Sequence, residues 1–357
     1  MAGTYNTVQT NFALTMFSNF GLGQKGTPDQ IGAAVAPLID QYLATYAPQM
    51  GTWTRVWGPA VGQVPGSTVA DNVMFVASNG ANQLVVSIAG TNPGSAFDVV
   101  VEDLFVVLQV PWLWGSDAGK IAFGTLSGLA LLQVITPGAS LPGAGKTIQN
   151  FLKGAVTAAT TITTCGHSLG GALSPALALW LKDTQSAWDT DGNATILCQP
   201  SAGPTPGDGD FATYYDASLG SQTTRVHNAI DMVPHAWNET DLSAIPTLYV
   251  PNIEPDAEIY AIDIIAGLAA AGGNYTQVNA STPALPGTVN TTLVNPQWSP
   301  LQNFLVQALY QHMDAYALLL NMPDFLPVME ELRKLLAGAS VAAAVARHQQ
   351  LATVVHT

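Results

Sequence analysis

The sequence has few charged residues, and the basic ones are the scarcest. Charged side chains make up 10% of the 357 residues and apolar ones 48%, whereas about 25% of a typical soluble domain is charged. Ten Lys and Arg stand against 24 Asp and Glu, so the net charge is −14. This balance excludes nucleic acid and anionic membranes as preferred partners, because both attract Lys and Arg. A surface with so little charge either self-associates, as a homo-oligomer does, or contacts something apolar.

Cysteine, long apolar runs and an export signal are also scarce or missing. Cys165 and Cys198 lie in apolar, strand-like runs, which favours buried free thiols and leaves a disulfide open. The longest uncharged apolar run, residues 121–135, is too short to span a bilayer. The first lysine is Lys25, so no classical signal peptide is predicted. We expect a cytoplasmic protein, one exported by another route, or an extracellular one whose leader has been trimmed.

The most informative stretch is a G-x-S-x-G pattern, residues 166–170, centred on Ser168. A β-branched run at residues 160–164 predicts a strand before it, and leucines at every fourth position from Leu169 to Leu181 predict a helix after it. In this context the turn holds the serine oxygen exposed, and the helix directs its unpaired N–H groups at developing negative charge. The alternative is a Gly-rich turn in which the serine only caps the helix.

Strand-like and helix-like segments alternate along the chain. Short apolar runs at residues 53–57, 73–77 and 84–88 follow an amphipathic helix at 28–46, and further strands are predicted at 195–198 and 223–230. This order predicts an α/β fold with a mostly parallel central sheet flanked by helices. We expect one domain over residues 1–357.

Three segments stand outside that alternation. Residues 104–143 are strongly apolar and predict either a mobile lid over the site or a buried helical hairpin. Residues 241–295 are rich in Pro, Gly, Thr and Asn, and predict a late insertion that contains one helix. Residues 328–357 predict a C-terminal helical tail.

A nucleophilic serine needs a base within hydrogen-bond reach and an acid that holds the base. With this motif the chain order is Ser, then Asp or Glu, then His. His312 follows an apolar helix near the end of the core, and Asp231 follows a predicted strand, so we assign these two as base and acid. The alternatives are a helix-end histidine and a turn-capping aspartate. His227, Asp231 and His235 also suggest a metal site, but the third residue lies past a corner, and we predict no metal.

The oxyanion of an acyl-transfer intermediate needs two N–H donors. One is the amide of Leu169, directly after the nucleophile. The second is expected in the loop after the third strand, where Thr91 fits and its hydroxyl could add a third donor.

Four blocks together resemble the class 3 (fungal-type) lipases, which have the α/β-hydrolase fold. The blocks span residues 88–91, 166–171, 228–234 and 312–316. The resemblance implies Ser168 as nucleophile, Asp231 as acid, His312 as base, and Thr91 with Leu169 as oxyanion hole. It also places a lid in the apolar segment, with substrate or lid contacts at Phe105, Trp112, Trp114 and His167. The family usually has Arg before the Gly-Thr pair, where this chain has Ala89.

The implied activity is hydrolysis of carboxylic esters, most of all triacylglycerols, at a lipid–water interface and without any cofactor. A short-chain or feruloyl-type esterase and a phospholipase remain alternatives within enzymes. A catalytically silent lipid-binding module is the alternative outside them.

Overall fold

The computed structural model describes residues 4–63, 67–90 and 106–336 of the chain. Its strands are β1 (Thr54–Gly62), β2 (Asn72–Ser78), β3 (Gln83–Ile88), β4 (Gln109–Pro111), β5 (Lys120–Ala122), β6 (Thr160–His167), β7 (Ala194–Ser201), β8 (Gly207–Asp208) and β9 (Tyr275–Thr276). The centre is a five-stranded sheet in the order β1-β2-β3-β6-β7, and four short strands form a second sheet in the order β4-β5-β8-β9.

The helices flank this sheet. They are α1 (Thr7–Ser18), α2 (Pro28–Thr45), α3 (Ala47–Met50), α4 (Phe123–Val134), α5 (Ile148–Ala155), α6 (Leu169–Asp183), α7 (Gln185–Trp188), α8 (Gly209–Leu219), α9 (Glu239–Leu242), α10 (Ala257–Ala270), α11 (Pro300–His312), α12 (Asp314–Leu319) and α13 (Leu326–Leu336). The predicted helix at residues 28–46 corresponds to α2, which starts with Pro28 behind a Thr27 capping box.

The central sheet is mixed rather than mostly parallel, which corrects one part of the predicted fold. β1 with β2 and β2 with β3 pair antiparallel, while β3 with β6 and β6 with β7 pair parallel. The connections from β1 to β3 are too short for a crossover helix, so these strands can only turn back on one another. The predicted strand 223–230 forms isolated parallel bridges beside β7, at Thr223 and Val226.

Alternating side chains of the sheet divide the core into two layers. In β2, Val73, Phe75 and Ala77 face the cluster that contains α1 and α2. Met74 and Val76 face the opposite cluster, which contains α4, α5 and α6. This period of two is what a sheet covered on both faces requires.

The parallel register places the carboxyl ends of three strands at one edge. Ile88 of β3 lies opposite Gly166 of β6, and His167 of β6 lies opposite Ser201 of β7. The chain segments that follow these strands therefore begin side by side, at the edge where α/β sheets bind ligands.

A third apolar cluster packs α10 and α11 against residues 232–253. The predicted insertion, residues 241–295, contributes α10 and β9 to it. Because α11 carries His312 at its end, this cluster also supports the functional edge of the sheet. The division of the chain into one domain with these segments stays a prediction.

The apolar segment predicted as a lid is packed into the molecule over residues 109–134. β4 and β5 pair with each other, β5 also pairs with β8, and Leu129 and Leu132 of α4 are buried in the cluster that contains α6. Two paired strands and one helix are not the buried helical hairpin that was the alternative, and the lid stays a prediction.

Cys165 and Cys198 are buried free thiols, as predicted. Burial raises the pKa of each thiol to about 11. In the described ranges 4–63, 67–90 and 106–336, no helix is both long and apolar enough to cross a membrane.

Candidate active site

Ser168 occupies a strained turn between β6 and α6. Its backbone has φ +61° and ψ −127°, in a region that non-glycine residues rarely adopt. Its side chain makes no capping hydrogen bond to the helix that it precedes. The predicted strand–turn–helix context is thus present, and the alternative that Ser168 serves as a helix cap is wrong.

Two glycines allow this turn to pack against its neighbours. A Cβ on Gly166 would collide with the backbone of Gly170, and a Cβ on Gly170 would lie 2.5 Å from the carbonyl oxygen of Ile88. The start of α6 therefore packs so closely against the end of β3 that only glycine fits at this position.

Leu169 is the first residue of α6, and the first N–H groups of a helix have no acceptor within it. Its amide is therefore available as an oxyanion donor. The second predicted donor, Thr91, and the predicted lid contact Phe105 lie outside the described residues. Gly90, just before Thr91, lies against the serine turn, since a Cβ there would be 3.1 Å from Ser168 Cβ.

The structure brings His312 and Asp231 together. The Nδ1 atom of His312 lies 2.9 Å from Oδ2 of Asp231, although 81 positions separate the two residues in sequence. Both side chains are almost fully buried, and Nε2 of His312 has no hydrogen-bond partner among the residues described. In the tautomer of imidazole that donates Nδ1–H to the carboxylate, the lone pair lies on Nε2.

Three further contacts hold Asp231 in place, and the sequence analysis assigned none of them. The Tyr316 hydroxyl donates to Oδ2 at 2.9 Å, and the Val233 N–H donates to Oδ1 at 3.1 Å. The His235 ring bonds through Nδ1 to the carbonyl oxygen of Asp231 at 2.8 Å. The spacing of His312 and Tyr316, four residues apart, was the one sequence signal that could have pointed to Tyr316.

His167 supports His312 rather than the substrate. Its ring centroid lies 4.7 Å from that of His312 and 5.5 Å from that of Tyr316, and Phe12 contacts it from α1. Burial, and then the proximity of His312, lower the pKa of His167 well below its ordinary value, so it stays neutral. The predicted substrate contact of His167 is therefore corrected to a packing role.

Trp112 and Trp114 do not lie at the candidate site. The Trp112 indole donates to Asp183 Oδ2 at 2.7 Å, and its ring packs on Phe211 and Trp114. Asp183 is the last residue of α6, whereas Ser168 precedes its first, and a helix of 15 residues is about 22 Å long. The predicted lid contacts of both tryptophans are wrong, because their large apolar rings are used to pack the far end of the core.

Among the residues described, no group of three or more His, Cys, Asp or Glu side chains could hold a metal ion. In the pattern that suggested a metal site, His235 bonds to the backbone of Asp231. Burial, helped by the nearby Arg225, lowers the pKa of His227 to about 4.

A strained serine follows a parallel strand, and His167, the residue before it, packs against a buried histidine–aspartate pair. These are elements of a serine hydrolase with the α/β-hydrolase fold. Comparison with known proteins gives the family. The family model described as Lipase (class 3) matches residues 85–240. The crystal structure of M37 lipase is 34% identical, covers 94% of this chain and 99% of its own, and superposes with a TM-score of 0.83. The chain belongs to the class 3 lipase family and is a lipase-type carboxylic ester hydrolase.

More distant fungal structures add little. The lipase from Rhizopus microsporus var. chinensis is 20% identical and covers 67% of this chain and 72% of its own, with a TM-score of 0.44. A likeness of this size carries no argument about the site. No curated protein sequence matched the chain at the threshold applied.

Proposed function

We propose that the protein hydrolyses esters of long apolar acids, triacylglycerols above all, through an acyl-serine intermediate on Ser168. The observation that carries this proposal is the pair formed by His312 Nδ1 and Asp231 Oδ2, 2.9 Å apart, together with the packing of His312 on His167, the residue before Ser168. This pair leaves Nε2 of a neutral imidazole free to accept a proton.

The proposed reaction has two halves. His312 Nε2 removes the hydroxyl proton of Ser168 while Oγ attacks the ester carbonyl carbon. The resulting oxyanion is stabilised by the N–H of Leu169 and a second donor at Thr91. His312 then protonates the leaving alcohol, and the C–O bond breaks to give the acyl-serine. In the second half His312 activates a water molecule, which releases the acid and restores Ser168.

Asp231 acts by holding the tautomer of His312. Its Oδ2 takes hydrogen bonds from both His312 and Tyr316, and its Oδ1 takes one from the Val233 amide. A carboxylate fixed by three donors stabilises the imidazolium that forms when the serine is deprotonated.

The surface of the molecule favours an apolar ester over a charged one. We define the apolar face as Tyr260, Ile264 and Leu268 of α10 together with Val107 and Leu108. All five side chains are exposed, between 46% and 70%. Two hydrogen bonds, Tyr275 to the Val106 carbonyl and Gln109 to the Gly273 carbonyl, hold residues 106–109 beside the chain that leaves α10. Such a surface fits a lipid–water interface, which an esterase for soluble substrates would not need.

Ser168→Ala tests the proposal. With a p-nitrophenyl ester series we expect kcat to fall by at least about 10³-fold, because the nucleophile is lost. Ser174→Ala is the matched control, since Ser174 is fully buried on the helix that follows Ser168, and it should retain kcat. Unchanged activity in Ser168→Ala would overturn the assignment.

Two further measurements separate the alternatives. Rates on a triglyceride below and above its solubility limit distinguish a lipase, whose rate rises with the emulsion, from a simple esterase. Hydrolysis of phospholipid vesicles faster than of a triglyceride emulsion would favour the phospholipase instead.

A further inference from the structure

Asn19 is a buried polar residue that joins the N-terminal helix to the edge of the sheet. It follows α1 and opens the 3-10 turn Asn19–Gly21, and its side chain is only 4% exposed. A buried amide needs hydrogen bonds at both of its ends. The partners of Asn19 therefore indicate what it holds together.

Both ends of the Asn19 amide are engaged. Its Oδ1 accepts the N–H of Gly90 at 3.0 Å, across 71 positions of sequence, and its Nδ2 donates to the carbonyl oxygen of Thr15 at 3.2 Å. Thr15 lies one turn back in α1, which is buried from Thr10 to Ser18. The acceptor that meets Gly90 is thus anchored to a helix in the core.

Gly90 lies where the serine turn meets the end of β3. The pairing of β3 with β6 ends at Ile88 and Gly166, and the N–H of Ala89 bonds to the carbonyl oxygen of Val73. Gly90 is therefore the first residue after β3 whose N–H has no partner in a strand. A Cβ on Gly90 would lie 2.7 Å from the carbonyl oxygen of His167. Ala89 contributes no polar side chain, and Asn19 supplies the acceptor that Gly90 lacks.

We propose that Asn19 is a positioning residue for the turn that carries Ser168 and the Leu169 N–H, and that it acts through Gly90, which lies against this turn. The inference rests on the proposed function. Because the Gly90 N–H is used by Asn19, it does not itself donate to the oxyanion. This hydrogen bond instead holds Gly90 beside the carbonyl oxygen of His167 and the Cβ of Ser168. Removing Asn19 leaves the Gly90 N–H buried without an acceptor and free to reorient beside Ser168.

Asn19→Ala and Asn19→Leu test this, the second keeping most of the side-chain volume. With a soluble p-nitrophenyl ester we expect kcat to fall about 10–100-fold with KM nearly unchanged, less than the 10²–10³-fold loss typical of deleting a donor outright. The inhibition constant of a trifluoromethyl ketone, whose adduct on serine carries an oxyanion, should rise in proportion to the loss in kcat/KM.

Asn11→Ala is the matched control. Asn11 is equally buried on α1 and makes one side-chain hydrogen bond, from Nδ2 to Gln199 at 3.0 Å, but it does not contact Gly90 or Ser168. It should lower the melting temperature about as much as Asn19→Ala while retaining kcat and the ketone affinity.

The inference is overturned if either Asn19 variant keeps kcat within about twofold of the kcat of Asn11→Ala. It is also overturned if the variants at both sites lose kcat equally, because general destabilisation would then explain the loss. Neither result concerns the proposed function, which fails only if Ser168→Ala stays active.

Discussion

Tyr316 has no reactive chemistry, yet it completes the surroundings of Asp231. Its fully buried hydroxyl donates to Asp231 Oδ2 and accepts the N–H of Asn228 at 3.0 Å. Burial, followed by the nearby Asp231 charge, raises the pKa of Tyr316 well above its ordinary value, so the hydroxyl keeps its proton and remains a donor. The residue holds the same carboxylate oxygen, Oδ2, that His312 contacts.

Tyr316→Phe should therefore lower kcat with little change in KM. The variant deletes one hydrogen bond to a charged group, which is worth about 1.5–3 kcal/mol, so we expect roughly a 10- to 100-fold loss. Steady-state kinetics on a soluble ester measure it.

Tyr215→Phe controls for the deleted hydroxyl. Tyr215 is also fully buried, and its hydroxyl bonds to Thr223 at 2.7 Å in a different apolar cluster. A similar loss of kcat in both variants would show that Tyr316 stabilises the fold in general and does not act specifically on Asp231.

Among the elements, α10 is unusual because it is apolar on two faces. Ile259, Ile262, Ala266 and Ala270 point into the core. Tyr260, Ile264 and Leu268, four residues apart, form one exposed stripe. A soluble helix normally presents polar residues on that side, so the stripe is the part of the apolar face that we expect to enter a lipid surface.

Ile264→Glu should separate adsorption from chemistry. A charge in place of an Ile that enters the lipid surface weakens binding to lipid by at least about tenfold. The rate on a triglyceride emulsion should fall accordingly, while hydrolysis of a soluble ester stays unchanged.

Val134→Glu is the control and introduces the same charged side chain on α4. Val134 is 65% exposed and lies outside the apolar face. This variant should behave as wild type on both substrates. Equal emulsion rates for the two variants would contradict a role of α10 in adsorption.

On the scale of the whole molecule, buried neutral histidines link stability to pH. His227 has its pKa lowered to about 4, first by burial and then by Arg225 and His235, with Asp231 opposing. As pH falls below 6.5 the unfolded chain binds a proton that the folded chain does not accept until about pH 4. The free energy of unfolding contributed by neutral His227 is complete above pH 6.5 and is lost as pH falls toward 4.

His227→Gln removes this pH-dependent contribution to the free energy of unfolding. After allowance for its partial exposure, we expect the drop in unfolding free energy between pH 7.5 and pH 5 to shrink by about 1 kcal/mol. Urea denaturation at the two pH values measures it. Asp314, which is buried, and Asp216, which is partly exposed, have pKa values raised mainly by desolvation and act in the opposite direction. They are common to both proteins, so an equal drop in wild type and variant would contradict the role of His227.

Local chemistry explains what the sequence predicted correctly. The strand, the glycine-flanked turn and the helix around Ser168 each follow from neighbouring residues, because β-branched runs, close backbone approach and four-residue leucine spacing are local properties. Chain order and helix ends also selected Asp231 and His312 from the available acids and histidines. The structure then placed these two in contact.

What the tertiary structure decided depends on contacts between distant segments. Asn19 meets Gly90 across 71 positions, and Tyr316 meets Asp231 across 85. No periodicity marks such pairs. The apolar run with Trp112 and Trp114 has the composition of either a lid or a core. Only the hydrogen bond from Trp112 to Asp183 and its packing on Phe211 showed that this ring belongs to the core. Sequence determines which surfaces must be buried, whereas the fold determines which partner buries each of them.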